Sequence, residues 1–372
     1  MSHAIHKPIG PGGWLGILGG GQLGRMTALA AARLGIRCHV FTPEREGPAE
    51  QVCARATIAP YQDLVALDRF AQSVDALTFE FENVPAASLA ALEHNRPGGR
   101  VLPLRPGPRA LEIAQDRVRE KTFFGELGIP TAPWHPIDGP IALQAALLAV
   151  GGPAILKTNR LGYDGKGQVR LKPGDDATAA WNALGGVPAV LEGMVPFTAE
   201  VSVIIARGVD GATACFEPTE NVHRNGILHT STVPARLTPA QIEQAKAIAL
   251  TAARALDLVG LLAVELFVAP DGALLANEMA PRPHNSGHWT MDACHADQFE
   301  QLVRAVCGLP LGDPGRFRPM RMTNLIGVDA ETWPAILARP GARLHLYGKA
   351  DCRPGRKMGH VNDPFDPAGD AR

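Results

Sequence analysis

The stretch LLAVELFVAPDGALLANEMAPR carries two glutamates that could hold a cation. Asp271-Gly272 between two apolar runs predicts a hairpin with a two-residue turn. Pairing outward from Pro270 opposite Ala273 sets Glu265 opposite Glu278, with Cβ atoms about 4.5–5.5 Å apart on one sheet face. Like charges so placed in apolar strands are destabilising and need compensation. Two readings are open: a slipped register or wet face that spares the charges, or a bound cation with oxygen ligands. The second suits Mg²⁺, with Asn277 offering a further oxygen. Magnesium held by two carboxylates and substrate phosphates is the arrangement of ATP-using sites.

Two glycine-rich stretches could receive anions. In WLGILGGGQLGRM, Gly19, Gly21 and Gly24 fit the G-x-G-x-x-G spacing between a strand and a helix. Free N–H groups and the helix dipole would face a ligand there. A dinucleotide site also needs an acid closing the second strand, to hold a ribose. Thr42 and Pro43 occupy those positions and Glu44 comes late. The fingerprint is incomplete, so NAD, another phosphate and a plain tight turn all stay open. The second loop, NRLGYDGKGQ, has Gly162, Gly165, Gly167 and Lys166. It lacks the GK[ST] ending of a Walker A loop and predicts a flap closing over phosphates. Lys157, near the end of the strand PAILKT, is either a snorkelling surface group or a phosphate clamp.

These residues must be positioned by a chain of 372 residues, long enough for two or three domains. Apolar residues make up 46% and charged residues 20%, as in a protein that buries a core. The net charge of −1 and 5% aromatic content argue against nucleic acid or an anionic membrane as partner. The six cysteines form no C-x-x-C pair and read as buried free thiols in a reducing compartment. With no signal peptide and no apolar run of about 18 residues, a cytoplasmic protein is expected.

Residues 1–13 read as a loose arm. Residues 14–100 alternate short apolar runs with helical ones, which predicts a parallel sheet with crossover helices. Pro103, Pro106 and Pro108 mark a boundary near residue 110, and one helix is expected over 110–127. Residues 150–310 read as α+β, with a helix over 239–256. A last unit covers 316–363 and a disordered tail 364–372.

In order, LGILGGGQLGRM, FEFENVP, GYDGKGQ, ENVHRNGIL, EMAPRPHNSGHWT and CRPGRKMGH resemble the motifs of the 5-(carboxyamino)imidazole ribonucleotide synthase family, ATP-grasp enzymes of purine biosynthesis. The resemblance covers residues 14 to 363. It implies an α/β and α+β architecture: a Rossmann-like domain over 1–110, an ATP-grasp domain over 111–315 with its flap at 125–197, and a C-terminal domain over 316–372. The implied reaction joins ATP, bicarbonate and 5-aminoimidazole ribonucleotide, through carboxyphosphate. A homodimer is the implied assembly.

By that resemblance, Arg117 and Lys157 contact the ATP phosphates and Gly162, Tyr163, Asp164, Gly165, Lys166, Gly167 and Gln168 form the flap. Glu192, Gly193, Met194 and Val195 read adenine, Glu200 holds the ribose, and His223 joins the nucleotide site. Glu265 and Glu278 are the metal ligands, and Asn277 and Glu278 also face ATP. Arg282 offsets charge on carboxyphosphate, His284 is the general base or proton carrier, and Asn285 orients its partner, with Tyr163 and Asp164 nearby. Gln22 and Leu23 meet the ribonucleotide, and Glu80 binds its ribose, with Glu82 on the same side of the strand. Lys349 and Arg356 take the 5′-phosphate, while Arg353 and Lys357 are left open. Val233 replaces an expected Ala, and the N-terminal arm has no counterpart. The rivals are a formate-dependent glycinamide ribonucleotide transformylase, an NAD-dependent oxidoreductase and a non-enzymatic nucleotide-binding regulator.

Overall fold

The computed structural model describes residues 7–85, 88–90, 92, 101–162 and 167–367. Its first sheet is parallel, in the order β3-β2-β1-β4. The strands are β1 (Trp14–Leu18), β2 (Arg37–Thr42), β3 (Arg55–Ile58) and β4 (Ala76–Phe79). β4 is buried throughout and β1 nearly so, as continuous apolar runs covered on both faces should be. Helix α1 (Gln22–Arg33) follows β1 directly, so the glycine loop opens at the carboxyl end of the strand. Helix α2 (Leu64–Gln72) covers the sheet with Leu67 and Phe70.

The single helix expected over 110–127 is two helices, α3 (Pro108–Ala114) and α4 (Arg117–Glu126). Asp116 is the reason. It is extended, and its carboxylate accepts from Arg119 N–H at 3.1 Å, capping α4 afresh. The break turns Arg117 into the cleft described below.

A second sheet, antiparallel and ordered β5-β8-β6-β7, forms its own layer. Its strands are β5 (Trp134–Ile137), β6 (Ala154–Thr158), β7 (Gln168–Leu171) and β8 (Ala189–Gly193). Helices α5 (Pro140–Val150) and α6 (Ala177–Ala183) pack on one face through Leu143, Leu147 and Ala180. The β6–β7 connection carries the second glycine loop.

The third sheet has nine strands. They are β9 (Ala199–Arg207), β10 (Thr213–Cys215), β11 (Thr219–Arg224), β12 (Ile227–Val233), β13 (Gly260–Val268), β14 (Leu274–Ala280), β15 (Met320–Ile326), β16 (Arg343–Leu346) and β17 (Lys357–Pro364). Strand alternation divides its two faces. Val201, Val203 and Ile205 of β9 pack with helix α7 (Pro239–Ala255), while Ile204 and Ala206 pack with helix α8 (Gln298–Cys307). Helix α7 starts where Thr238 and Gln241 form a capping box ahead of Pro239. Helix α8 also packs against α1, which ties the parallel sheet to the central one.

The last unit, expected over 316–363, extends the central sheet, because β15 pairs with β12. Three expectations need correction. Residues 7–13 are anchored: Ile9 N–H donates to Cys307 O and Gly12 N–H to Gly35 O, both at 2.8 Å. The cysteines are all free, but Cys352 is exposed where buried thiols were expected. Pro364 ends β17 instead of opening a tail, and residues 368–372 lie outside the described part.

The seam between the C-terminal strands and the rest holds buried histidines. Tyr347 and His360 hydrogen bond at 2.9 Å, and His288 packs beside them. Burial first, then neighbouring imidazoles, pushes His288 and His360 well below the usual histidine range. Both are therefore neutral in the native state, while the unfolded chain takes up their protons below about pH 6.5. Their stabilisation is complete above that value and is lost as pH falls. The slope approaches about 2.7 kcal/mol per pH unit for two such groups. Urea melts from about pH 8 down to about pH 5 should show it as a difference: His360→Gln should lower the slope by about 1.4 kcal/mol per pH unit. An unchanged slope in that variant would contradict the assignment.

Candidate active site

A cleft of about 1110 Å³ lies among the three sheets, and both expected carboxylates line it. The hairpin that presents them differs from the simple one. Ala269 N–H bonds to Ala273 O at 2.9 Å and Gly272 has φ +86, so the turn has three residues with a left-handed glycine. That shifts the register by one, and Val268 faces Leu274. A bulge between Glu265 and Leu266 then restores it, so Glu265 does face Glu278. The bulge takes up Asn277 as the extra residue. Its carbonyl accepts from Lys121 Nζ at 2.8 Å, while its Oδ1 is buried without a partner.

Each carboxylate has a cationic or imidazole partner on its outer side. Arg117 Nη1 donates to Glu278 Oε2 at 3.1 Å, and His284 Nε2 lies 3.0 Å from Glu265 Oε1. Burial alone would raise the Glu278 carboxyl; Arg117 and then Lys157 outweigh it and hold the group at about 2. Two facing carboxylates and an orphaned amide oxygen are a hard, oxygen-only donor set. They fit a magnesium ion that takes its remaining ligands from phosphate and water.

The other end of the cleft is built on the second sheet. Glu192 accepts from Lys157 Nζ at 3.1 Å and lies 3.4 Å from Lys121 Nζ. Burial opposes its ionisation, but Lys157 and Lys121 carry its carboxyl below the usual range. Lys157 is thus turned inward, against the snorkelling alternative. Gly193 and Met194 also line the cleft, and their N–H groups are taken by Pro133 O and Pro153 O at 2.8 Å. Val195 lines it next, near Phe197, which stacks on Phe267 at 4.9 Å. Glu200 accepts from His223 Nδ1 at 2.6 Å. Burial lowers the His223 pKa, and the Glu200 bond and charge more than reverse that.

Family profiles cover the whole arrangement. A ribonucleotide synthetase preATP-grasp domain matches residues 14–115, an ATP-grasp domain 122–299, and a phosphoribosylaminoimidazole carboxylase C-terminal domain 321–365. The N5-carboxyaminoimidazole ribonucleotide synthase of Brucella melitensis is 53% identical, over 94% of this chain and 96% of that one. That of Bacillus subtilis is 42% identical, over 95% and 92%. The chain belongs to the N5-carboxyaminoimidazole ribonucleotide synthase family. A crystal structure of an ADP complex of an N5-carboxyaminoimidazole ribonucleotide synthetase superposes with a TM-score of 0.93 at 42% identity, covering 99% of this chain and 96% of that one. An Aspergillus clavatus enzyme in complex with ADP and 5-aminoimidazole ribonucleotide superposes with a TM-score of 0.88 at 29% identity, over 96% and 95%. The fold is therefore ATP-grasp, with a pre-ATP-grasp domain and the family's C-terminal domain, and the protein is an ATP-dependent enzyme of ligase type.

Membership also ends the NAD reading of the first glycine loop, and the geometry gives the reason. Glu80 accepts from Gly21 N–H at 2.5 Å and Gly24 N–H at 2.8 Å, so a carboxylate of the chain itself fills the anion site. A Cβ on Gly19 would come within 2.1 Å of Glu80 Cγ, and one on Gly21 within 2.5 Å of Glu80 Oε1. The glycines make room for Glu80. Gln22 and Leu23, at the start of α1, line the cleft beside it. Glu80 and Glu82 do not share a role: β4 ends at Phe79, and Glu82 pairs instead with Arg282 through two hydrogen bonds. Arg282 Nη2 to Glu82 Oε1 is 3.0 Å. Burial lowers the Arg282 pKa, and Glu82 raises it beyond that loss.

His284 and Asn285 line the same cleft, and Asn285 exchanges two amide bonds with Asn324 at 3.0 and 2.7 Å. Gly162, Gly167 and Gln168 mark the ends of the flap there; Tyr163, Asp164, Gly165 and Lys166 lie outside the described residues. The basic C-terminal run divides. Lys357 lines the cleft, whereas Arg356 is turned to Asp351 O at 3.1 Å and is not among the lining residues. Lys349 Nζ bonds to Lys357 O at 2.8 Å and its charge reaches Glu80. Arg353 pairs with Asp351 at the surface. Sequence reading missed Lys121, Glu120 and Asn324. Lys121 is buried and Glu120 Oε1 accepts from Met279 N–H at 2.6 Å, with burial and then Glu278 pushing the Glu120 carboxyl up to about 8. Their signal was two adjacent charges within a helix whose neighbours, Phe123 and Phe124, are core.

Proposed function

We propose that this cleft carries out the ATP-dependent carboxylation of 5-aminoimidazole ribonucleotide, with bicarbonate as the carbon source. The single observation that carries the residue assignment is the facing pair Glu265 and Glu278 beside the orphaned Asn277 oxygen. These three would hold Mg²⁺, which when bound offsets charge on the ATP phosphates. Arg117 and Lys157 flank the phosphates, and the loop from Gly162 to Gln168, with Tyr163, Asp164, Gly165, Lys166 and Gly167, closes over them. Glu192, Gly193, Met194 and Val195 read adenine against the Phe197 and Phe267 wall. Glu200, held by His223, takes the ribose hydroxyls.

Bicarbonate oxygen attacks the terminal phosphorus, ADP leaves, and carboxyphosphate forms inside the closed flap. The exocyclic amine then takes the carboxyl carbon as the bond to the phosphate oxygen breaks, and the departing phosphate takes up the proton that the amine gives up. Arg282 offsets charge on carboxyphosphate. His284 presents Nε2 to this centre and Asn285 its amide. Closure matters because water would destroy the intermediate. Gln22, Leu23 and Glu80 hold the ribonucleotide, and Lys349 and Arg356 take its 5′-phosphate at the mouth. We divide the chain at residues 110 and 315, place the enzyme in the cytoplasm, and expect a homodimer through the first domain. Leu64 and Val65, 47% and 64% exposed on α2, support that contact. A monomer mass by light scattering would remove it. Among the described residues no helix is long and apolar enough to cross a membrane.

Acceptor choice is the test. ADP release should require 5-aminoimidazole ribonucleotide, and glycinamide ribonucleotide with formate should not support it. The reverse would move the chain's reaction to another branch of the superfamily. Arg356→Ala should raise the ribonucleotide KM about tenfold or more and leave the ATP KM within about twofold, the pattern of a lost phosphate contact. Equal effects on both would take Arg356 out of that site.

A further inference from the structure

A line of buried side chains runs from the interior of the central sheet to His284. Ser231 on β12, Asn221 on β11, Ser202 on β9 and Ser286 in the site loop are each at most 5% exposed. Strand register aligns them, with Ser231 opposite Asn221 and Ser202 opposite Glu265. Ser231 Oγ–H donates to Asn221 Oδ1 at 2.7 Å, Asn221 Nδ2 donates to Ser202 Oγ at 3.0 Å, and Ser202 Oγ–H donates to Ser286 Oγ at 2.6 Å. Ser286 Oγ then lies 2.8 Å from His284 Nδ1, toward which the Ser286 N–H also points at 3.4 Å. On the far side of the ring, Nε2 faces Glu265.

Only one direction of donation satisfies this line. The Asn221 amide presents an acceptor to Ser231 and a donor to Ser202, and each hydroxyl has a single proton. Ser202 already receives a proton from Asn221, so its own goes to Ser286, and that of Ser286 goes to Nδ1. Reversal would leave the Ser202 proton without an acceptor among the described residues, at a cost in stability. Flipping the amide would strand the Ser231 proton in the same way. We infer that Ser231, Asn221, Ser202 and Ser286 form a one-way relay that fixes the His284 proton on Nε2, so that His284 donates to Glu265 and does not take the proton of the amine. On this reading His284 is not the general base.

Gln298 completes the arrangement. Its Oε1 accepts from His284 N–H and its Nε2 donates to His284 O, both at 2.9 Å, so the backbone that carries the ring is clamped on both sides. The proton's place is set from Nδ1 and does not depend on what Glu265 holds. Asn221 and Ser202 are positioning residues. Their effect on turnover rests on the site reading above; the tautomer does not.

The test is proton–nitrogen correlation spectroscopy of the full chain with isotope-labelled histidine, at about pH 8, above the ordinary histidine range. Among the twelve histidines, the His284 signals are those lost in His284→Gln. The wild type should show a protonated Nε2 and a bare Nδ1. Ser286→Ala, which removes the donor to Nδ1, should give a mixture. Asn221→Asp accepts from both hydroxyls, reverses the line and should move the proton to Nδ1. If that buried carboxylate prevents folding, Ser286→Ala decides alone. Nδ1–H in the wild type, or one unchanged tautomer in every variant, overturns the relay. In turnover, Ser286→Ala should lower kcat about tenfold with the ATP KM within about twofold. Shifted spectra with unchanged kcat would support the relay and overturn the place of His284 in the reaction.

Discussion

Glu278→Gln is expected to lower ADP formation about a thousandfold or more. The change keeps volume and shape and removes one charge, so its effect reads the charge alone. Glu278 faces Glu265 across the bulged hairpin, and Arg117 pairs with it at 3.1 Å. With glutamine there, Arg117 faces a neutral amide, and the cluster of Arg117 and Lys157 proposed to meet the phosphates has lost the anion that balances it. Loss of one preorganised electrostatic partner costs about 10²–10³ in kcat, and a residue that also serves the cation lies at the upper end. The measurement is ADP release at saturating substrates, with ADP affinity as the control for an intact cleft. Turnover within about tenfold of the wild type would contradict the assignment.

Arg282→Ala is expected to act twice, on stability and on bicarbonate. Arg282 and Glu82 form a paired fork between the site loop and the first domain, and only 19% and 25% of their side chains are exposed. Removing one partner of a buried pair leaves the other uncompensated, at about 3–5 kcal/mol. Removing the guanidinium also takes away the group proposed to offset charge on carboxyphosphate, which should lower kcat/KM for bicarbonate about 10²–10³-fold. The double variant Glu82→Gln with Arg282→Ala separates the two effects. It should regain most of the lost stability and none of the lost activity, while the ATP KM stays within about twofold. Recovery of activity together with stability would make Arg282 a purely structural group.

The carboxylate pair was legible in the sequence because strand pairing is an arithmetic of residues from a turn. The arithmetic reached the right partners through two offsetting deviations. A three-residue turn moved the register one way, and the Asn277 bulge moved it back. Side-chain period alone cannot show either. The helix over 239–256 was equally legible, because Thr238, Pro239 and Gln241 are a start signal written in three residues.

What could not be read was set by contacts distant in the chain. Glu80 and Glu82 have the same type and spacing, and they part only because the strand ends at Phe79, one turning to the glycine loop and the other to Arg282. Lys121 looked like an ordinary helical charge until Glu192, on another sheet, came to lie 3.4 Å away. The joining of the last strands to the central sheet depends on β15 finding β12, which no local pattern encodes. The glycine loop had the right geometry for an anion, and no local pattern marks Glu80 as that anion.

The most direct measurement is the uptake of radiolabelled bicarbonate into an acid-labile product, followed together with ADP release, in the presence of Mg-ATP and 5-aminoimidazole ribonucleotide. The account predicts one label fixed for each ADP formed, and no ADP release above background when bicarbonate is withheld. ADP release that proceeds at full rate without bicarbonate, or without label in the product, would contradict it.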